Sequence, residues 1–444
     1  LDKIRPISLY EVTRKVWTGI VNDRITRVWS DCRALHQAQY GYRPGLGTES
    51  EIIQLLNIIG HTAEQNTPFY LMGFDTKKAF DSVNKDLMKA AWIRLGVPSD
   101  IASYLMELDK DGLTTIKSPH ANSIYHQIGK HDVLCNITDK HHAESFHAVD
   151  GIGQGDSTSA TAWIAIYDIL LCMLDHNVIH PMFYRVNQQN VDKCDVFAYV
   201  VDLNTISPNI HHLQRTVDIV SAYNAITGFQ FNDKLECGTN IILSGPAQEV
   251  TFHDIDWNPK TLFIVNKLTI KILGIRVDLT NGRKTLNTYV QQLMARLVAP
   301  LARKNVSPET KLLAYRMAIM PALTYPAKFL DVTISEYEEL FMPIDSFLRQ
   351  ITGFQKTIPR QIMYSTAKDA GLNIPDIILQ IQVFKQRMIQ RALQPSSPVR
   401  NSAISIIERC YRQSDRTSRC SPLLYDLDIK SWIGSLIQQH NSVG

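Results

Sequence analysis

Apolar positions recur at helical spacing over much of this chain and give way, at a few places, to short unbroken runs that read as buried strands. Val12, Val16, Ile20 and Ile25 mark a first amphipathic helix. Thr48 and Glu51 fit a capping box that opens a second, carrying Ile52, Ile53, Leu55, Leu56 and Ile59. FYLMGF, residues 69–74, reads as a buried strand with Asp75 at its end. A helix is expected to begin near Phe80, Asp81 and Ser82, with helical spacing from Asn84 to Leu95, closed by Gly96 and Pro98. A long helix carries Trp163, Ile166, Tyr167, Leu170 and Leu174, and VFAYVVD, residues 196–202, is a second strand. Residues 208–236 hold an amphipathic helix through Leu213, Val217, Val220 and Tyr223, stopped near Gly228. SGPAQEVTFHDIDWNPKT is turn-rich and reads as a surface hairpin.

From Leu286 onward the pattern is helical. Tyr289, Val290, Leu293, Met294, Leu297 and Leu301 share one face. Ser307 and Pro308 start the next helix, which is expected to end near Pro321. Ser335 and Glu338 fit a cap for another, bent at Pro343 and closed by Gly353. After Gln394 the stretches PSSP and RQSDRTSRC read as a linker with a weakly ordered helical end. Strands mixed with helices, followed by helices alone, predict an α+β fold.

Composition narrows the class. The 444 residues are 45% hydrophobic and 20% charged, enough for a sizeable core and for about two or three domains. The chain does not open on Met, and it is expected to be a fragment of a longer polypeptide. No stretch is apolar enough to span a bilayer and no signal peptide is visible, so an intracellular place, nuclear or cytoplasmic, is expected and no membrane partner. Seven cysteines without a C-x-x-C spacing fit neither a disulfide framework nor a zinc finger. The net charge is only +3, but residues 281–420 hold about 20 Lys/Arg against about 10 Asp/Glu. That asymmetry is what a surface gripping a nucleic-acid backbone needs, and a solvated helical face would show it too.

Candidate chemistry starts at Asp75. A carboxylate at the end of an apolar strand must be met by something cationic, and a metal ion serves where a site does chemistry. QYGYRPGLGTES, residues 39–50, is a glycine-rich loop around Arg43, suited to an anion such as a triphosphate or a template backbone. His120, His126, His131, His141, His142, His147 and Cys135 cluster between residues 101 and 150, but their spacings match no zinc pattern. That segment reads as a polar, partly stranded connection.

Asp75 followed by Phe80 and Asp81, D-x-x-x-x-F-D after a hydrophobic strand, resembles the first catalytic motif of reverse transcriptases, most of all the LINE-type (non-LTR) retrotransposon enzymes. The likeness continues in order: R-P-I-S-L at residues 5–9; the Gln39–Gly45 segment against Q-x-G-F-R-x-G; GIGQGDSTSA, residues 151–160, against G-x-x-Q-G-D/S-x-x-S-P; GFQFNDKLE against G-L/F-x-x-N-x-K; and IKILGIRV against the hairpin that grips a primer. KLLAYRMAIMPALTYPA and AGLNIPDI resemble thumb and post-thumb segments.

The resemblance implies a right-hand polymerase: partial fingers over 1–68, a palm over 69–280 with an inserted connection at 101–150, a helical thumb and post-thumb over 281–393, and a tail over 394–444. It implies an RNA-directed DNA polymerase that uses an RNA template, a DNA primer, dNTPs and two Mg²⁺ ions. Asp75 would bind both ions and Phe80 would exclude a ribose 2′-OH. Gln154 and Gly155 would lie against the nascent pair and template, Tyr199 beside the substrate, and Lys234 would protonate the departing pyrophosphate. Arg296, Arg303, Lys304, Lys311 and Arg316 would follow the template–primer backbone. Ala160 stands where the pattern usually has Pro, which alters turn stiffness more than chemistry.

One departure bears on the chemistry. The resemblance expects Y-x-D-D, and this chain reads Tyr199, Val200, Val201, Asp202. An isopropyl group offers Mg²⁺ no oxygen ligand, and its bulk disfavours substitute waters. The expectation is therefore the ancestral fold with weakened metal binding and impaired or absent synthesis. The alternative is a catalytically dead reverse-transcriptase fold acting as a nucleic-acid-binding scaffold or a decayed remnant.

Overall fold

The computed structural model describes residues 10–110, 113–115, 124–128, 131–135, 145–147, 151–153, 155–177, 182–186, 190–231, 236–239, 248–264, 268–279, 284–303, 305–330, 332 and 334–414. In chain order the helices are α1 (Val12–Asp31), α2 (Thr48–Gln65), α3 (Lys85–Arg94), α4 (Ser99–Lys110), α5 (Ser159–Asn177), α6 (Ile210–Thr227), α7 (Lys284–Arg303), α8 (Pro308–Ala314), α9 (Met320–Ala327), α10 (Ile334–Leu340), α11 (Met342–Thr352), α12 (Gln361–Tyr364), α13 (Ile377–Ala392) and α14 (Arg400–Ser414). The strands are β1 (Tyr70–Phe74), β2 (Leu113–Thr115), β3 (Ile124–Ile128), β4 (His131–Cys135), β5 (Ser145–His147), β6 (Phe183–Arg185), β7 (Val191–Lys193), β8 (Val196–Tyr199), β9 (Asp202–Ser207), β10 (Glu236–Thr239), β11 (Glu249–His253), β12 (Pro259–Phe263), β13 (Thr269–Ile272) and β14 (Ile275–Asp278). The chain divides into two compact units: residues 1–51, 68–184 and 193–267, and residues 52–67, 185–192 and 268–444.

The first unit is built on a four-stranded antiparallel sheet in the order β10-β1-β9-β8. Its strands are apolar because helices cover them: α5 is buried along nearly its whole length, and Leu213, Val217, Val220 and Tyr223 turn α6 inward. These residues share one core with Met72, Phe74, Trp92, Trp163 and Phe229. An aromatic chain, Phe80–Trp163–Phe229–Tyr223, runs through that core with ring centroids 5.0–6.1 Å apart. Before α3 the chain makes a single 3₁₀ turn, Ala79–Ser82, and Asn84 caps the helix by accepting from the Asp86 and Leu87 amides. The turn-rich stretch forms the β11–β12 hairpin.

Two expectations fail here. Of the stripe on α1, Val12, Val16 and Ile20 face outward, each more than half exposed, while Ile25 packs against the core and Thr18 and Trp29 are buried. Polar anchors fix the helix instead: Arg14 pairs with Asp156 and donates to the Leu108 carbonyl, and Trp29 Nε1 donates to the Leu95 carbonyl. Glu51 does not close a capping box; its side chain turns into the protein and accepts from Asn204 Nδ2 at 2.8 Å.

The second unit holds a helical core of Val290, Leu323, Ile344, Leu348, Met363 and Ile381 among others. The helix begun at Ser307 does not stop at Pro321. It continues to Ala327 through a π-helical turn, Tyr315–Ile319, and such a turn absorbs a carbonyl partner that proline cannot take. Ser335 lies inside α10 rather than at its cap. The expected tail linker contains α14, packed through buried polar groups: Ser402 donates to Gln54, and Arg409 donates to Asn57 Oδ1 at 2.7 Å. Hydropathy cannot see such contacts.

Candidate active site

β1 and β9 run antiparallel with Phe74 opposite Leu203. Continuing that register by one residue brings Asp75 opposite Asp202, both exposed at one end of the sheet. The buried hydroxyl of Tyr167 registers both. Burial is the main cause that holds its pKa well above the usual tyrosine range, and the charges of Asp202 and Asp75 add to the rise. The β1–β9 register brings the two carboxylates to neighbouring strand ends.

β8 and β9 are joined by the two-residue turn Val200–Val201, with Tyr199 paired to Asp202. Val200 has φ of 60° and Val201 does not share a positive φ, the pattern of a type II′ turn. Glycine is usual at that first turn position. A β-branched residue there is strained by about 1–3 kcal/mol. Val201 is partly buried against the core of the unit and brings no oxygen to the sheet end. Two carboxylates can share a divalent ion, but among the described residues no group of three His, Cys, Asp or Glu side chains forms a metal site.

Gly151 and Ile152 donate to the Val83 and Phe80 carbonyls at 2.8 and 2.7 Å, which draws the 151–160 segment against the Phe80 turn. Phe80 is partly buried against Trp163. Gly155 is exposed with φ of 126°. Asp156, beside it, is nearly buried and fixed by Arg14 at 3.0 Å. Tyr199 is partly buried, and burial raises its hydroxyl pKa. Gln154 and Lys234 lie outside the described residues, as do Lys304, the side chain of Arg303 and those of the histidine cluster.

Arg43 is turned to its own loop: Nη1 donates to the carbonyls of His36 and Gln39 at 3.0 and 2.9 Å, and burial lowers its pKa. The loop is anchored further by Asp168, nearly fully buried, which accepts from the His36 amide at 2.6 Å and pairs with Arg94. Two residues near the sheet end take buried roles that the sequence reading did not give them. Gln39 is fully buried against the β8–β9 turn, and Glu51 is fully buried with its pKa pushed up to about 8, chiefly by burial, with the charge of Asp202 adding to the rise. A polar residue in a loop and a carboxylate in a first helical turn carry no hydropathy signal for burial.

The family model described as reverse transcriptase (RNA-dependent DNA polymerase) matches residues 1–277. The chain belongs to the reverse transcriptase family. Its fold is α+β, and the four-stranded sheet with Asp75 and Asp202 at one end is the palm of the right-hand polymerase. Two curated relatives are similar over most of the chain. The Pol polyprotein of the type-1 retrotransposable element R2 of Popillia japonica is 24% identical over 84% of this chain and 48% of its own length. The Pol polyprotein of the type-2 element R2DM of Drosophila melanogaster is 22% identical over 91% of this chain and 35% of its own. The chain thus spans about half or less of the relatives it matches, and those relatives agree with its LINE-type resemblance. Among solved structures, apo telomerase from Candida tropicalis gives a TM-score of 0.37 at 11% identity over 91% of this chain and 58% of that one, a slight likeness.

Within this reverse transcriptase, what the motifs foresaw is the pairing of the two acidic strand ends. What they did not foresee is the wiring behind them: Arg14 to Asp156, Asp168 to the 36–43 loop, and Gln39 to the turn.

Proposed function

We propose that this chain is the polymerase core of a non-LTR retrotransposon protein, copying an RNA template by extending a DNA primer with dNTPs, and that synthesis in this copy is impaired at Val201. The observation that carries the reading is the register that sets Asp75 beside Asp202 at the open end of the palm sheet. Magnesium held there would activate the primer hydroxyl and neutralise charge on the leaving pyrophosphate. Asp75 and Asp202 would bind it, and Val201 leaves one corner of the binding set without an oxygen. Phe80, braced by Trp163, would stand against the incoming sugar and reject a 2′-OH. Gly155 and Gln154 would lie along the template and pair, and Tyr199 beside the substrate. Arg43 would reach the triphosphate or template with the part of its guanidinium not spent on the loop. Lys234 is assigned the proton for pyrophosphate.

Fingers over 1–68, palm over 69–280 and thumb and post-thumb over 281–393 would meet, at the last boundary, the pattern change near residue 280, and Arg296, Arg303, Lys304, Lys311 and Arg316 are assigned to the duplex backbone. Loss of one electrostatic stabiliser costs about 10²–10³ in rate, and loss of a direct ligand costs at least that. Among the described residues no helix is long and apolar enough to cross a membrane, and a nuclear or cytoplasmic place suits a template of RNA. Primer extension on RNA with dNTPs and Mg²⁺ tests the reading: the Val201→Asp protein should synthesise DNA, and adding Asp75→Asn should abolish it. A Val201→Asp protein that is folded and binds primer–template but makes no product overturns the polymerase assignment for this copy.

A further inference from the structure

Gln39 is 0% exposed, and its carboxamide is spent on the β8–β9 turn. Its Oε1 accepts from the Val200 amide at 2.9 Å and from the Gly41 amide at 3.0 Å. The Val200 carbonyl accepts from Trp163 Nε1 at 3.0 Å, with Gln39 Nε2 at 3.5 Å. The backbone around Gln39 extends the sheet past β8: the Ala198 amide donates to the Ala38 carbonyl and the Tyr40 amide to the Ala198 carbonyl, both at 2.8 Å. Gly41 approaches so closely that a Cβ there would lie 2.5 Å from Val200 Cγ2 and 2.7 Å from the Val200 nitrogen.

We infer that Gln39 is a positioning residue for polymerisation: it holds the strained Val200–Val201 turn closed and so sets where Asp202 stands relative to Asp75. The inference rests on the polymerase reading for its consequence in catalysis, but not for the clamp itself. A two-residue turn with a β-branched residue at positive φ does not keep that shape by local preference. One buried donor, the Val200 amide, and one acceptor, the Val200 carbonyl, must be met from outside it, and a buried amide left unmet costs about 1–3 kcal/mol. A single carboxamide, carried on a loop wired by Arg43 and Asp168, meets the Val200 amide and also ties Gly41 against the turn. Small shifts of the turn displace Asp202, the first residue of β9, and geometric error of about 1 Å at a reacting centre costs about 10²-fold.

The test uses the full chain with Val201→Asp, with and without Gln39→Leu, and with Gln39→Glu as the variant that keeps an acceptor for both amides. Should Gln39→Leu fail to fold, Gln39→Asn, one methylene shorter, takes its place. Hydrogen exchange over residues 196–203 reads the clamp directly, and primer extension reads its consequence. Expected for Gln39→Leu is exchange about tenfold faster at the turn, kcat lower by about tenfold or more, and a dNTP KM changed by less than about threefold. Gln39→Glu should recover most of the turn protection. Unchanged turn exchange in a folded Gln39→Leu protein overturns the inference. So does faster exchange with kcat unaltered. Should Val201→Asp alone stay silent, the polymerase reading has failed and the exchange measurement by itself decides whether Gln39 holds the turn.

Discussion

Asn204 Nδ2 donates to Glu51 Oε1 at 2.8 Å, while Glu51 Oε2 is buried with no hydrogen-bond partner among the described residues. A carboxyl in that setting keeps its proton, and its pKa is pushed from 4.5 to about 8. Between those values the folded chain holds a proton that the unfolded chain has released. This group's contribution to stability is therefore greatest below pH 4.5, falls as pH rises to about 8, and is level beyond. Glu51→Gln keeps the acceptor and cannot ionise. Its stability relative to the parent should rise by about 3–5 kcal/mol between about pH 4 and about pH 9. Urea unfolding at several pH values checks this; a difference independent of pH would contradict it.

Gly41→Ala should be among the costlier small substitutions in the chain. The new methyl would meet the Val200 backbone nitrogen at 2.7 Å, and backbone cannot swing aside. The expected loss is about 1–3 kcal/mol, read as a lowered Tm, with faster exchange confined to the β8–β9 turn. Alanine tolerated without either change would mean that the loop stands further from the turn than described.

What the sequence told, and what it withheld, divides along physical lines. Features set by local chemistry were legible: the strand ending at Phe74, the helix from near Asn84, the stop at Gly228 with φ of 76°, and the start at Ser307. So was the pairing of Asp75 with Asp202, because the order of motifs carried it. Features set by long-range polar contact were not. α1 exposes Val12, Val16 and Ile20 of the stripe that its periodicity marks as buried, because Arg14 and Trp29 anchor it elsewhere. Gln39 and Glu51 look like loop and cap residues until the sheet folds against them. Pro321 suggested an end that a π-helical turn removes.

Arg409 tests the packing of α14. It is 8% exposed, and its guanidinium meets Asn57 Oδ1 at 2.7 Å and Glu64 at 3.5 Å. Arg409→Leu leaves both partners without their cation, and Glu64 is partly solvated, so the cost should fall at about 2–4 kcal/mol. Ending the chain before Arg400 should cost at least as much. Thermal unfolding of both forms measures it, and a chain as stable without α14 would restore the reading of that segment as a linker.

Val201→Asp restores the missing carboxylate at the β8–β9 turn. Primer extension on RNA with saturating dNTPs and Mg²⁺ compares the variant with the parent at equal, verified folded concentration. The variant should synthesise at a rate at least about 10²-fold higher, with a lower Mg²⁺ requirement. Robust synthesis by the parent, or a folded variant no faster than it, would contradict the claim that a hydrocarbon at position 201 is what silences this palm.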